Sequence, residues 1–280
     1  MKSFLEYIIE KQIQYGKNAN YGQVVFFAGG AGSGKGFSIS NYIDSSKFKI
    51  KDVDQIKLLF LKIPQILEKY PELKNFSLKN PEHVSRLHQI VSDEKISEKQ
   101  LKAFFGDMKN PNTLPNILFD ATLKNVDKEF NTILPMLLSA GYKPEHIHIT
   151  WVLANYAVAV VNNRERERVV PEDIMLKTHT GVALSMEKLL SHGLPKHING
   201  SFTIILNNPE NVSFYETDTD KKHIKKLTVK DFKYIKIKDE GKPMIPFKEM
   251  DSKIKETVIS WVLENAPKTQ ELENVWSKNR

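Results

Sequence analysis

The 280-residue sequence predicts an α/β fold, a mainly parallel sheet of about five strands flanked by helices, with a helical insertion after the second strand. Three observations carry this. Short apolar runs recur along the chain, and helical periodicity follows most of them. The first run, QVVFFA at 23–28, breaks directly into glycines and then a helix, the pattern of a strand buried on both faces. The composition, 40% hydrophobic and 27% charged, is that of an ordinary globular chain and excludes disordered and collagen-like classes.

In chain order, residues 2–14 read as a short amphipathic helix carrying Phe4, Ile8 and Ile9 on one side. The strand at 23–28 comes next, then a helix over about 35–43 and a shorter strand at 48–53. Residues 54–112 are mostly helical: Asn80-Pro81-Glu82 reads as a cap with proline at the first helical position, and Ser97 to Gln100 as a capping box. NILF at 116–119 is the third strand, closed by Asp120. A helix over about 124–140 contains Pro135, which predicts a kink, and stops at Gly141. HIHITWVL at 146–153 is the fourth strand, and a helix from about 154 runs into an arginine cluster. Another helix covers about 172–192, and FTIIL at 202–206 is the fifth strand. Two short strands near 212–216 and 232–237 extend the sheet, and 249–264 is a C-terminal helix. No strong linker interrupts the chain, so the reading is one domain over 1–280. Its core is at about 22–216, its insertion at 54–112, and a C-terminal segment at 217–280 is appended.

Composition bounds the chemistry. With no Cys there is no disulfide framework, thiolate zinc site or thiol nucleophile. The N-terminal stretch shows no secretory pattern, and the longest apolar run, 149–161, is broken by Asn155 and too short for a bilayer. The expectation is a soluble, cytoplasmic protein with no membrane partner. The formal charge of +7 hints only weakly at nucleic acid, because it comes from Lys spread along the whole chain. Only five residues are Arg: Arg86, Arg164, Arg166, Arg168 and Arg280.

The informative stretch is Gly29-Gly30-Ala31-Gly32-Ser33-Gly34-Lys35-Gly36, a G-x-x-x-x-G-K between strand and helix. Glycines let main-chain N–H groups converge on a phosphate, Lys35 adds a mobile charge, and the helix adds the positive end of its dipole. This predicts a nucleotide triphosphate site, with ATP as the ligand and Phe37 at its edge. The usual hydroxyl after the lysine is missing, since Gly36 and Phe37 stand there and Ser38 and Ser40 lie further along. Mg²⁺ is then held through water and acidic residues.

Those residues are sought beyond the carboxyl ends of the neighbouring strands. Lys51-Asp52-Val53-Asp54 follows the second strand, so Asp52 or Asp54 is placed to take a proton from an acceptor hydroxyl, while Asp54 also suits a helix cap. Asp120 is suited to orienting hydrated Mg²⁺. Thr122 and Lys124 follow within reach of acceptor or phosphate, with a surface position the alternative for Lys124. In Asn163-Arg164-Glu165-Arg166-Glu167-Arg168 the signs alternate as on a solvated helix. Arg rather than Lys, in a chain that otherwise uses Lys, instead points to a bidentate grip on phosphate. On a helix Arg164 and Arg168 share a face and Arg166 points elsewhere. His179, between Thr178 and Thr180, reads as helix surface, with a substrate contact as the alternative. His146 and His148 share a strand face without identifiable metal partners.

The order FFAGGAGSGKG, KDVD, NILFDATL, NRERERVVPEDI and FTIILNNPENVSFY resembles the zeta-toxin-like branch of P-loop kinases, and more closely the P-loop kinases of tailed phages. The similarity spans about 22–216. It implies a P-loop kinase fold and transfer of the γ-phosphate of ATP to a hydroxyl of a small molecule or nucleotide, in the host cytoplasm if phage-encoded. By the same resemblance Asp54 or Asp52 is the base, Asp120-Ala121-Thr122 matches the family's acidic-Gly-Thr stretch, and Arg168 before Pro171 matches its lid arginine. The alternatives are a nucleoside monophosphate or polynucleotide 5′-kinase, and a protein that holds ATP without transferring its phosphate.

Overall fold

The computed structural model describes residues 13–16, 21–52, 61–96, 99, 102, 105, 114–219 and 224–279, without the side chains of 52, 215–219 and 224–228. Residues 2–12 of the expected N-terminal helix, Asp54 and the start of the capping box at Ser97 lie outside these; Ile13 makes an isolated parallel bridge to Ile43.

The fold is α/β, with helices on both faces of a mostly parallel sheet. Its strands are β1 (Val24–Ala28), β2 (Lys49–Asp52), β3 (Ile117–Asp120), β4 (Ile147–Leu153), β5 (Phe202–Leu206), β6 (Val212–Thr219) and β7 (Ile224–Lys238). They lie in the order β2-β3-β1-β4-β5-β7-β6. The first five are parallel, and β7 joins β5 and β6 antiparallel. The sheet therefore has seven strands rather than five. Sequence periodicity understates the β6–β7 hairpin because the register slips between Ser213 and Phe214, where Ser213 faces Asp231 but Phe214 faces Val229. Lys230 is the extra residue, and it inverts the alternation that would otherwise mark one long strand.

The helices are α1 (Lys35–Tyr42), α2 (Pro64–Lys69), α3 (Pro81–Asp93), α4 (Val126–Ser139), α5 (Tyr156–Glu165), α6 (Glu172–His192), α7 (Ser252–Asn265) and α8 (Gln270–Ser277). β1 is buried throughout and feeds both layers. Val24, Phe26 and Ala28 join the core made with α4, α6, α7 and α8, while Val25 and Phe27 meet Ile39 and Tyr42 of α1. α8 was not expected from the sequence. It brings Trp276, fully buried, to 6.2 Å from the Trp151 ring, while β7 lies inside the sheet.

Local chemistry sets the helix ends. Asn80 Oδ1 accepts from the Glu82 and His83 N–H groups at 2.9 and 3.4 Å, capping α3 as expected. Asn125 caps α4, which runs through Pro135 as one element and closes with Tyr142 N donating to Leu137 O and Gly141 N to Leu138 O. Among the described residues α2 and α3 pack around their own small cluster, Leu73, Leu87, Ile90 and Val91. His148 is fully buried, with Nε2 on Gln23 Oε1 at 2.8 Å and Nδ1 on Ser201 at 2.9 Å. Burial pushes its pKa down to about 3, so it is a neutral core residue. Among the described residues no helix is long and apolar enough to cross a membrane.

Candidate active site

The five parallel strands point their carboxyl ends at one edge, where the glycine loop leaves β1. Gly29 N donates to Thr122 O at 3.4 Å, tying the loop to the turn after β3. Gly32, at φ 76°, lies so close to α5 that a Cβ there would sit 2.4 Å from Ala159 O. Gly34, the N-cap of α1, has no side chain to cap the helix, and the first turn holds no acidic residue. The first N–H groups and the positive end of the helix are thus directed at the loop.

Lys35 Nζ folds back over this ring. It donates to Gly29 O at 2.9 Å and Gly30 O at 3.3 Å, and lies 3.7 Å from Asp120 Oδ1. The hydroxyl of Ser33 is buried with no hydrogen-bond partner, as is that of Ser38. An unsatisfied buried hydroxyl costs about 1–3 kcal/mol, which an acceptor from a ligand would recover. A Cβ at Gly36 would meet nothing within 4 Å, so no neighbour forces the missing hydroxyl at that position.

Asp120 ends β3 in register with Phe27 of β1 and Asp52 of β2, so these backbones reach the edge together. The side chain of Asp52 and all of Asp54 lie outside the described residues. After Thr122, Leu123 is buried at φ 51°, a left-handed conformation costing about 1–2 kcal/mol for a residue with a Cβ. Its neighbours hold it there. Glu129 accepts backbone hydrogen bonds from Asn125 and Leu123, and burial raises its carboxyl to about 7. Lys124 is exposed, but its backbone presses on α6, where a Cβ at Gly181 would lie 3.0 Å from Lys124 O.

The arginine cluster departs from expectation. α5 ends at Glu165, and Arg166 is its extended C-cap. Arg164 and Arg168 therefore do not share a helix face. Asn163 turns back on Val170, donating to its carbonyl at 2.8 Å and accepting from its N–H at 2.9 Å, which ties the last turn of α5 and the loop after it together across 164–169. In this segment Arg164 Nη2 pairs with Glu172 Oε1 at 2.6 Å, Arg166 is exposed and Arg168 half-buried. Val169 N donates to Leu78 O at 3.1 Å, so this loop touches the helical insertion.

Three residues that the sequence reading did not place at the loop hold it there. His179 is neither surface nor turned outward: it is 5% exposed, and its Nε2–H donates to Ala31 O at 2.7 Å. Burial pushes its pKa down to about 4. Thr178 Oγ1 donates to Met175 O at 2.9 Å and accepts from Ala31 N at 3.4 Å. Asn207 Nδ2 donates to Ser33 O at 3.0 Å and its Oδ1 accepts from Tyr42 OH at 2.8 Å. For Asn207 a signal existed, since it directly follows β5 on the loop's edge.

The family model described as zeta toxin matches residues 8–220. No curated protein matches. Among solved structures, a chain of the PezAT toxin–antitoxin system of Streptococcus pneumoniae is 14% identical, with 74% of each chain covered and a TM-score of 0.41. The AvrRxo1-ORF1:ORF2 complex in its native form is 11% identical over 92% of this chain and 71% of that one, with a TM-score of 0.45. The same complex with sulphate ions is also 11% identical, over 92% and 76%, with a TM-score of 0.40.

Proposed function

Because the chain belongs to the zeta toxin family, whose members are kinases, we propose that it moves the γ-phosphate of ATP to a hydroxyl of a small molecule or nucleotide. The observation that carries this is the loop at 29–36: main-chain donors, an uncapped helix N-terminus, the Lys35 ammonium and the orphaned Ser33 hydroxyl gathered at one strand edge.

In this reading the loop N–H groups and Lys35 hold the β- and γ-phosphates, and Phe37, 39% exposed beside them, borders the nucleoside. Lys35 leaves the Gly29 and Gly30 carbonyls for the phosphates, which replace two neutral acceptors with charged ones. Mg²⁺, when bound, supplies charge neutralisation on the phosphate oxygens. Asp120, a carboxylate at the strand edge 3.7 Å from Lys35 Nζ, is the residue that would hold that ion. The acceptor hydroxyl passes its proton to Asp54 or Asp52 as its oxygen bonds to phosphorus and the ADP oxygen leaves. Arg164 and Arg168 neutralise the migrating group, with Arg166, Thr122 and Lys124 toward the acceptor. The Arg164–Glu172 pair is two-thirds exposed on both sides, so releasing it costs about 1 kcal/mol or less.

The test is a cell extract incubated with the protein and ATP labelled at the γ-phosphate, read by mass spectrometry for species that gain one phosphoryl group. Label on a small metabolite or nucleotide is the expected result, and label on oligonucleotide ends favours a polynucleotide kinase. Tight ATP binding with no labelled product would leave a non-catalytic nucleotide-binding protein.

A further inference from the structure

We propose that His179, assisted by Thr178, is a positioning residue that locks the tip of the phosphate loop in its anion-receiving shape. This rests on reading the loop as the nucleotide site. Ala31 is the tip, and α6 holds both its main-chain polar groups, the carbonyl through His179 and the N–H through Thr178. A trans peptide points its N–H opposite to its C=O. With the Ala31 carbonyl drawn 2.7 Å from His179 Nε2, the Gly32 N–H on the same peptide is directed away from α6. By the same rule, Ala31 N–H toward Thr178 sends the Gly30 carbonyl the other way, where Ser33 N and Lys35 Nζ each reach it at 3.3 Å.

The alternative peptide orientation would put an Ala31 oxygen where a phosphate oxygen must go. A loop of glycines has little of its own to prevent that flip. The histidine supplies the restraint, and its ring is itself confined. A Cβ at Gly30 would lie 2.2 Å from His179 Cδ2, so the imidazole rests on loop backbone that only glycine leaves open. Tyr156, at the start of α5, meets the ring edge-on at a centroid distance of 5.2 Å. The ring is buried and neutral, but a protonated ring would keep the same Nε2–H donor, so the contact is an anchor and not a pH switch. α6 begins at Glu172, the partner of Arg164, so one helix carries both the loop anchor and the arginine's resting partner.

The experiment compares the full chain with its His179→Leu and His179→Gln variants by hydrogen exchange of loop peptides without nucleotide, ATP titration, steady-state kinetics and thermal unfolding. Leucine removes the donor. Exchange confined to 29–34 is expected to rise about tenfold and ATP affinity to fall about tenfold, the equivalent of one hydrogen bond. The KM for ATP should rise more than kcat falls. Glutamine, which returns an N–H near the Nε2 position, is expected to recover both to within about threefold. If His179→Leu does not fold, Gly30→Ala, which displaces the ring from the other side, should give the same loop-confined exchange. Unchanged loop exchange in these variants, or a rise spread evenly over the sheet, overturns the proposal. Wild-type protein that fails to bind ATP would sink the functional reading instead, while the exchange comparison still decides this one.

Discussion

Lys35→Ala is expected to lower phosphotransfer by about 10²–10³-fold or more, the loss that follows removal of a preorganised donor to developing charge. It should leave the fold in place. The ammonium's partners in the free protein are two loop carbonyls and, at 3.7 Å, Asp120, all at the rim of the sheet and none in the apolar core. Losing them costs about 1 kcal/mol, a shift of about 2–4 °C in melting temperature for a chain of this size. Rate and unfolding midpoint, measured on one preparation, separate the two effects. Near-normal turnover in this variant would contradict the assignment of the loop.

The second large effect concerns the carboxylates after β2. One of Asp54→Asn and Asp52→Asn is expected to lose about 10²–10⁴-fold in kcat, the usual contribution of a general base, with ATP affinity unchanged. The geometry gives the reason to look here. β2 ends at Asp52, level with Asp120 and so with the strand edge from which the loop at 29–36 leaves β1. The variant that retains activity identifies the residue serving as strand end or helix cap. Both retaining full kcat would show that no carboxylate after β2 takes the acceptor's proton.

Much of this was legible in the sequence because its causes are local. The glycine loop between β1 and α1 was legible because its glycines, its lysine and the helix start stand in consecutive positions, 29–36. β1, β3, β4 and β5 were legible because strands buried on both faces must be continuous apolar runs. The hairpin was understated because one extra residue, Lys230, inverts its alternation. The arginine geometry was misread because alternating charges continue the helical pattern past Glu165. The real stop is tertiary, the Asn163 side chain satisfying the backbone of Val170. His179 was illegible for a related reason: its partner Ala31 lies 148 positions away, and no local pattern announces so distant a hydrogen bond. Asn207 sits between these cases, visible as a polar residue after a strand, though its bond to Ser33 O is visible only in three dimensions.

The central claim is that residues 29–36 grip a polyphosphate tail, and calorimetric titration of ATP, ADP and adenosine into the full chain tests it most directly. Two charge-assisted hydrogen bonds to phosphate, at about 1.5–3 kcal/mol each, place ATP and ADP at least about 10²-fold tighter than adenosine. Lys35→Ala should erase most of that gap. Adenosine binding as tightly as ATP, or a gap unchanged by the substitution, would contradict the account.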